Sequence, residues 1–96
     1  MPHTVLINVF EVPEGRDDEF LAHWSDAKRF MEQQRGYIST ALHRSLDPTA
    51  RFRYINVAVW ATPADFQAAV RHPEFVKLRE ATPFASYPSL YEVVQT

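Results

Sequence analysis

One predicted strand near the middle of the chain carries the side chains that could do chemistry. From Arg53 to Trp60 the side chains alternate between two faces, because successive residues of a β-strand point to opposite sides. One face is aliphatic, and the other carries a phenol, an amide and an indole, from Tyr54, Asn56 and Trp60. Such groups can hold a flat, oxygen-bearing molecule by stacking and hydrogen bonding. The segment therefore indicates a site for a small aromatic compound.

The elements that must position this strand follow from hydrophobic periodicity and from turn residues. Gly36 is expected to end the first helix, and Thr62 to cap the second, with Pro63 in its first turn. The second helix is expected to end at His72-Pro73, with a short helical turn after it. The pattern predicts strands over 4–12, 37–46, 52–60 and 87–94, and helical segments over 16–35, 63–72 and 74–80.

This order, βαββαβ, predicts a single α+β domain over residues 1–96 with a ferredoxin-like antiparallel sheet. Strands one and three are expected side by side at its centre, as parallel neighbours, with both helices on one face. The uncovered face would then be half apolar, and two such sheets are expected to pack face to face in a homodimer, a dimeric α/β barrel around a cavity. That face is predicted to carry Leu6, Asn8, Phe10, Tyr54, Asn56 and Trp60, with Ser39 and His43 nearby.

Composition excludes several classes of function. With no cysteine among 96 residues, disulfides, thiol nucleophiles, iron–sulfur clusters and thiolate zinc sites are absent. Ten basic and twelve acidic residues are interspersed, which argues against a nucleic-acid partner. Two glycines cannot form a phosphate-binding loop, and no metal-ligand spacing occurs. The N-terminal apolar run is too short for a signal sequence or a membrane span, so a cytoplasmic protein is expected.

Each candidate residue also has a purely structural explanation. Trp60 could bridge sheet and helix instead of stacking on a ligand, and Tyr54 could pack at the dimer interface. The Asn56 amide must find a hydrogen-bond partner, either Asn8 across the strand pair or a ligand carbonyl. Of the four histidines, only His43 is expected to face the cavity, where it could act as a general base or simply be solvated.

The chain resembles the antibiotic biosynthesis monooxygenase family of dimeric α/β-barrel proteins over nearly its whole length. Members that oxidise polycyclic phenols or quinols use O2 without metal, flavin or haem. The resemblance implies catalytic roles for Asn56 and Trp60, as Asn-x-x-x-Trp on the third strand. Phe66 stands where such members have a tyrosine, and Arg79 approximately matches their arginine. Four segments carry the resemblance: Ile7–Val12, Gly36-Tyr37, Asn56–Trp60 with Phe66, and His72-Pro-Glu-Phe75.

The haem-degrading branch of the superfamily provides a contrast. Its strand-one asparagine is matched by Asn8, but its helix tryptophan and proximal histidine correspond to Ala69 and Arg79. The resemblance therefore implies a cofactor-independent monooxygenase that acts on a phenol or hydroquinone. Asn8, Phe10, Tyr54, Phe66 and Arg79 are then expected to bind substrate, and Asn56, Trp60 and His43 to act in catalysis. The alternatives are a non-catalytic dimeric small-molecule-binding or stress-related protein, and a cyclase or isomerase.

Overall fold

The computed structural model describes residues 3–96 and contains four strands and three helices in the order β1α1β2β3α2α3β4. The short helical turn predicted after His72 is a third helix, α3. The elements are β1 Thr4–Glu11, α1 Asp17–Met31, β2 Tyr37–Arg44, β3 Tyr54–Trp60, α2 Pro63–Arg71, α3 Pro73–Glu80 and β4 Ala85–Tyr91.

The strands form one four-stranded sheet in the order β2-β3-β1-β4, in which every neighbouring pair is antiparallel. The predicted ferredoxin-like fold and antiparallel sheet are confirmed. The expectation that strands one and three are parallel is wrong: β1 and β3 run in opposite directions, with Asn8 opposite Asn56. In this topology β1 and β2 run in the same direction with β3 between them, and β3 and β4 run in the opposite direction with β1 between them.

The helices cover the face of the sheet that the sequence was expected to leave open. Leu6, Ala58 and Trp60 pack in one core cluster with Ala69 of α2, and Met31 of α1 packs against that cluster. The aromatic and amide residues of β3 therefore point toward the helices. The aliphatic residues of the same strands, at positions 5, 7, 9, 55, 57 and 59, lie on the other face and are only partly buried.

A second core cluster closes the other end of the layer between sheet and helices. Phe20 of α1 is almost fully buried and stacks on Tyr54, with ring centroids 4.6 Å apart. Phe84, just before β4, meets Phe20 edge to face at 5.6 Å. Val12 completes the cluster. Because large aromatic rings fill this end, α1 is held at a fixed distance from the sheet.

Local capping signals set the starts of α2 and α3. The backbone N–H of Asp65 donates to the Thr62 hydroxyl at 3.1 Å, as the predicted N-cap requires, and Pro63 occupies the first turn. His72 caps α3 in the same way, because its Nδ1 accepts from the backbone N–H of Glu74 at 3.1 Å. The imidazole of His72 therefore has a structural role.

The helix α1 ends at Met31, earlier than predicted. The backbone N–H groups of Gln33 and Gln34 bond to carbonyls three residues back, which tightens the last turn. Gly36 lies beyond this turn with φ of 85°, and a Cβ at this position would overlap the Asp65 side chain. Gly36 thus allows the chain to approach α2 closely where it enters β2.

The predicted strands β2 and β3 were too long at the loop that joins them. The β2 strand ends at Arg44, and Leu46, the last residue of the predicted strand, is fully exposed. Asp47 organises the loop, since its carboxylate accepts at 2.8 Å from both the backbone N–H and the hydroxyl of Thr49. This local turn competes with further strand pairing.

An ion pair ties the start of α1 to the segment before β3. The Arg53 guanidinium donates two parallel hydrogen bonds to the Asp17 carboxylate, at 2.7 and 2.8 Å. These bonds from Arg53 hold the pKa of Asp17 below its ordinary value of 3.8. The Tyr54 hydroxyl is close enough to lower that pKa further, although it completes no hydrogen bond of ordinary geometry.

This lowered pKa predicts a specific loss of stability in acid. A carboxyl whose pKa is lower in the folded than in the unfolded state stabilises the fold fully at pH values above its unfolded-state pKa. This contribution to stability is lost as the pH falls through the folded-state pKa. We expect the free energy of unfolding to fall more steeply below about pH 4 in the wild type than in Asp17→Asn. Urea denaturation at a series of pH values measures the slope of the free energy of unfolding against pH in the wild type and in Asp17→Asn. Asp18→Asn, at the exposed neighbour of Asp17, should keep the wild-type slope; equal slopes in wild type and Asp17→Asn would contradict the prediction.

Candidate functional site

A cavity of about 260 Å³ lies within one chain, between the sheet and the helices. The sequence had predicted the aromatic and amide residues on an uncovered face, around a cavity between the sheets of two subunits. These residues instead line a cavity within one chain, because the helices cover the aromatic face. The volume exceeds the ~150 Å³ of an apolar cavity that binds benzene and is just below the ~300 Å³ at which drug-sized pockets begin. It therefore suits a ligand of two or three fused rings. The sheet contributes Leu6, Asn8, Phe10, Tyr37, Thr40, Asn56, Ala58, Trp60, Ser86 and Pro88, and α1 contributes Phe20, His23, Trp24, Ala27, Lys28 and Met31.

Asn56 lies in the wall of this cavity with its amide held in one orientation. Its Oδ1 accepts a hydrogen bond from the Thr40 hydroxyl at 2.5 Å. Thr40 is on β2, opposite Ala58 and two residues before Leu42, which is opposite Asn56. The hydrogen bond from Thr40 fixes which end of the amide is the oxygen, so the other end, the NH2, is the double donor that Asn56 can offer to a ligand oxygen.

Trp60 forms an aromatic wall and contributes a second donor. Its indole is almost fully buried and meets Tyr37 and Phe66 edge to face, with centroids 5.7 and 5.6 Å away. The indole Nε1 is buried and has no hydrogen-bond partner among the described residues. A buried N–H without an acceptor is costly, so a ligand oxygen that supplied one would be favoured. Burial, with a smaller contribution from Glu32, raises the pKa of Tyr37, which keeps its hydroxyl protonated.

Asn8 lies directly opposite Asn56 on β1. A hydrogen bond to Asn8, one of the two alternatives for the Asn56 amide, does not form, since Asn56 pairs with Thr40 and the buried Asn8 Oδ1 has no partner within residues 3–96. The cavity wall thus contains two donor groups, from Asn56 and Trp60, and a free acceptor at Asn8.

The histidine that lines the cavity is His23 of α1, and its ring meets Phe84 at 6.2 Å. The expectation that His43 faces the cavity is wrong. His43 is opposite Ile55 in the strand pairing, and both lie on the face of the sheet that points away from the helices. There His43 lines a separate, more open depression with Arg44 and Arg51. The position of His23 follows α1 periodicity, because it comes three residues after Phe20 on the inward stripe.

The remaining predicted site residues divide into two groups. Phe10, Phe66 and Arg79 all line the cavity. Tyr54 does not, because its ring is packed against Phe20 in the second core cluster. Thr40, His23 and Lys28 line the cavity without having been predicted.

This arrangement can bind and polarise a phenolic oxygen in an apolar surrounding. Fixed donors in a water-poor cavity stabilise an oxyanion strongly, since they need no reorganisation when charge develops. Among residues 3–96, no group of three or more His, Asp or Glu side chains is placed to hold a metal ion. None of the described helices is long and apolar enough to cross a membrane.

Comparison with known proteins finds a matching family model and solved structures of similar fold. Residues 4–81 match the family model described as antibiotic biosynthesis monooxygenase. A monooxygenase candidate from Shewanella loihica PV-4 is 38% identical over 100% of this chain and 99% of that one, with a TM-score of 0.85. SnoaB, a cofactor-independent oxygenase from Streptomyces nogalater, is 26% identical over 100% of this chain and 97% of its own, also with a TM-score of 0.85.

A haem-degrading protein from Mycobacterium tuberculosis shares the fold with lower similarity. It is 25% identical over 99% of this chain and 94% of its own length, with a TM-score of 0.73. The curated protein sequences include no significant match to this chain.

Proposed function

The chain belongs to the antibiotic biosynthesis monooxygenase family, and from that premise we propose that it is a cofactor-independent monooxygenase that oxidises a phenol, hydroquinone or anthrone with O2. The description of the Streptomyces nogalater relative as a cofactor-independent oxygenase supports this activity. The observation that carries the proposal is the Asn56 amide, whose oxygen accepts from Thr40 and whose NH2 can donate to a phenolate in the same cavity as Trp60.

The proposed reaction takes its electrons from the substrate. An anthrone CH2 loses four electrons and becomes a ketone, while one atom of O2 enters the carbon and the other leaves as water with the two hydrogens. A phenol with a free para position is converted to a quinone with the same stoichiometry. Deprotonation makes the ring electron-rich enough to pass an electron to O2, so the protein needs a base, oxyanion donors and exclusion of bulk water.

We assign these roles to residues of the cavity. His23 accepts the phenolic proton, directly or through one water. Asn56 and Trp60 donate to the resulting oxyanion, and Asn8 supplies an acceptor for a second hydroxyl. Phe10 and Phe66 contact the faces and edges of the ring system. In this proposal His23 replaces His43, because His43 is on the other side of the sheet.

Oxygen uptake tests the proposed activity. Wild-type protein and a heat-unfolded sample are compared on a panel of anthrones and hydroxynaphthalenes, with an oxygen electrode. We expect enzyme-dependent uptake of one O2 per substrate, and one 18O atom in the product when 18O2 is supplied. Uptake at the uncatalysed rate, together with an increase in melting temperature on ligand addition, would instead favour a non-catalytic binding protein. Conversion of the ring without oxygen uptake would favour a cyclase or isomerase.

We also propose that the chain forms a homodimer through the open face of the sheet. Val5, Ile7 and Val9 of β1 are opposite Val59, Val57 and Ile55 of β3, so two central strands present a continuous aliphatic surface. An aliphatic face of this kind is unusual on a monomer. Two copies related by a two-fold axis would bury it as a packed pair of sheets.

A charge at the centre of this face should break the dimer. We expect the wild type to sediment at about twice 11.1 kDa, and Val57→Lys to sediment as a monomer, because each interface would then bury two unpaired lysines. Gln67→Lys, on the exposed side of α2, adds the same charge elsewhere and should remain dimeric. A monomeric wild type at micromolar concentration would refute the dimer and leave the single-chain cavity unaffected.

A further inference from the structure

The rim of the cavity is positively charged, whereas its interior is neutral. Lys28 of α1 and Arg79 of α3 both line the cavity, and both are exposed. They belong to helices that pack against each other, so the two side chains approach the opening from neighbouring elements. Among residues 3–96, no aspartate or glutamate lines the cavity.

Neither of these cations has an internal partner. Within residues 3–96, the ion pairs and the side-chain hydrogen bonds involve other basic residues. The guanidinium of Arg79 lies 5.9 Å from the centroid of the Phe75 ring, another residue of the cavity wall. This contact orients Arg79 without using its N–H groups, which stay available to an acceptor.

We propose that Lys28 and Arg79 form an anion subsite, and that the substrate is an aromatic compound with a carboxylate or another anionic substituent outside the reacting ring. This inference rests on the proposed function, because it assigns the orientation of the same substrate. The phenolic oxygen enters the cavity and reaches Asn56 and Trp60, while the anionic substituent stays at the rim.

The charge distribution explains why the substrate would bind in this orientation. The interior offers apolar surface and neutral amide and indole groups, so burial of a permanent charge there is costly. At the rim the same charge remains partly hydrated and meets two cations, one of which can bind a carboxylate with two parallel hydrogen bonds. The subsite therefore selects a substrate by charge and also fixes which end enters first.

Binding of a matched pair of ligands under nitrogen tests the subsite without turnover. We choose 5-hydroxy-2-naphthoate and its neutral amide, 5-hydroxy-2-naphthamide, which share shape and a phenol with a free para position but differ by one charge. Calorimetry should show the wild type binding the carboxylate about five- to tenfold more tightly than the amide, a preference that weakens with added salt. The double variant Lys28→Gln/Arg79→Gln should bind both ligands equally.

The control is Arg71→Gln/Lys77→Gln, which removes the same net charge from exposed positions that do not line the cavity. It should keep the preference for the carboxylate.

Equal binding of the two ligands by wild type, or a preference that survives in Lys28→Gln/Arg79→Gln, overturns the subsite. If the subsite is refuted in this way but the wild type still takes up oxygen, the proposed oxygenase activity remains supported. Carboxylate preference without oxygen uptake on admission of air supports the subsite and refutes the oxygenase, and failure to bind either ligand refutes both.

Discussion

Asn56→Ala should lower the rate of oxygen uptake about 10²–10³-fold, which is the typical effect of removing one oriented oxyanion donor. The amide is the donor in the cavity whose orientation is fixed by a neighbour, Thr40. Its loss removes stabilisation that the reaction needs only when the phenolate forms, so kcat should fall more than KM rises. Stopped-flow or electrode assays with a saturating anthrone measure the effect.

Stability must be separated from chemistry in this test. Loss of the Thr40 hydrogen bond costs about 1 kcal/mol of folding free energy, far too little to unfold the protein at assay temperature. Thr40→Val provides the second arm: it keeps the Asn56 amide but frees it to rotate, and should reduce the rate by a smaller factor. Ser39→Ala changes the neighbouring residue on the opposite face of β2 and should retain the wild-type rate. Full activity in Asn56→Ala would refute the assignment.

The grouping of the site residues was predictable, but the side of the sheet on which they lie was not. Alternation along β1 and β3 correctly grouped Asn8, Phe10, Asn56 and Trp60 on one face. It could not identify which face the helices cover, because the aliphatic face also resembles a core. In this protein both faces are apolar, and the face beneath the helices is the aromatic one that also contains the polar groups of the cavity.

The misplacement of His43 came from the register of β2, which sequence alone does not determine. An irregularity between Tyr37 and Ser39 shifts the pairing by one residue, so Leu42 is opposite Asn56 and His43 is opposite Ile55, on the other face of the sheet. The position of His23 on α1, in contrast, could have been predicted from the sequence. His23 was available from helical spacing, since it follows Phe20 by three residues on the inward stripe of α1. A helix stripe can serve as core and as cavity wall in the same protein.

His23→Ala should lower kcat/KM by about 10²-fold or more, the usual contribution of a positioned general base. The reason is geometric, because His23 is the histidine whose ring lines the cavity among the described residues. His43→Ala is the matched control. It removes the same chemical group from the opposite face of the sheet and should leave kcat/KM unchanged.

Chemical rescue distinguishes a base from a packing residue at position 23. The ring of His23 contacts Phe84, so its removal could lower activity through altered packing alone. If His23 accepts the proton, added imidazole should restore part of the rate in His23→Ala in proportion to its concentration, because the freed space admits a soluble base. The same imidazole should have no effect on Asn56→Ala, which lacks a donor and retains its base. Inactive His43→Ala beside fully active His23→Ala would return the role to His43 and would require a substrate bound on the open face of the sheet, in place of the cavity.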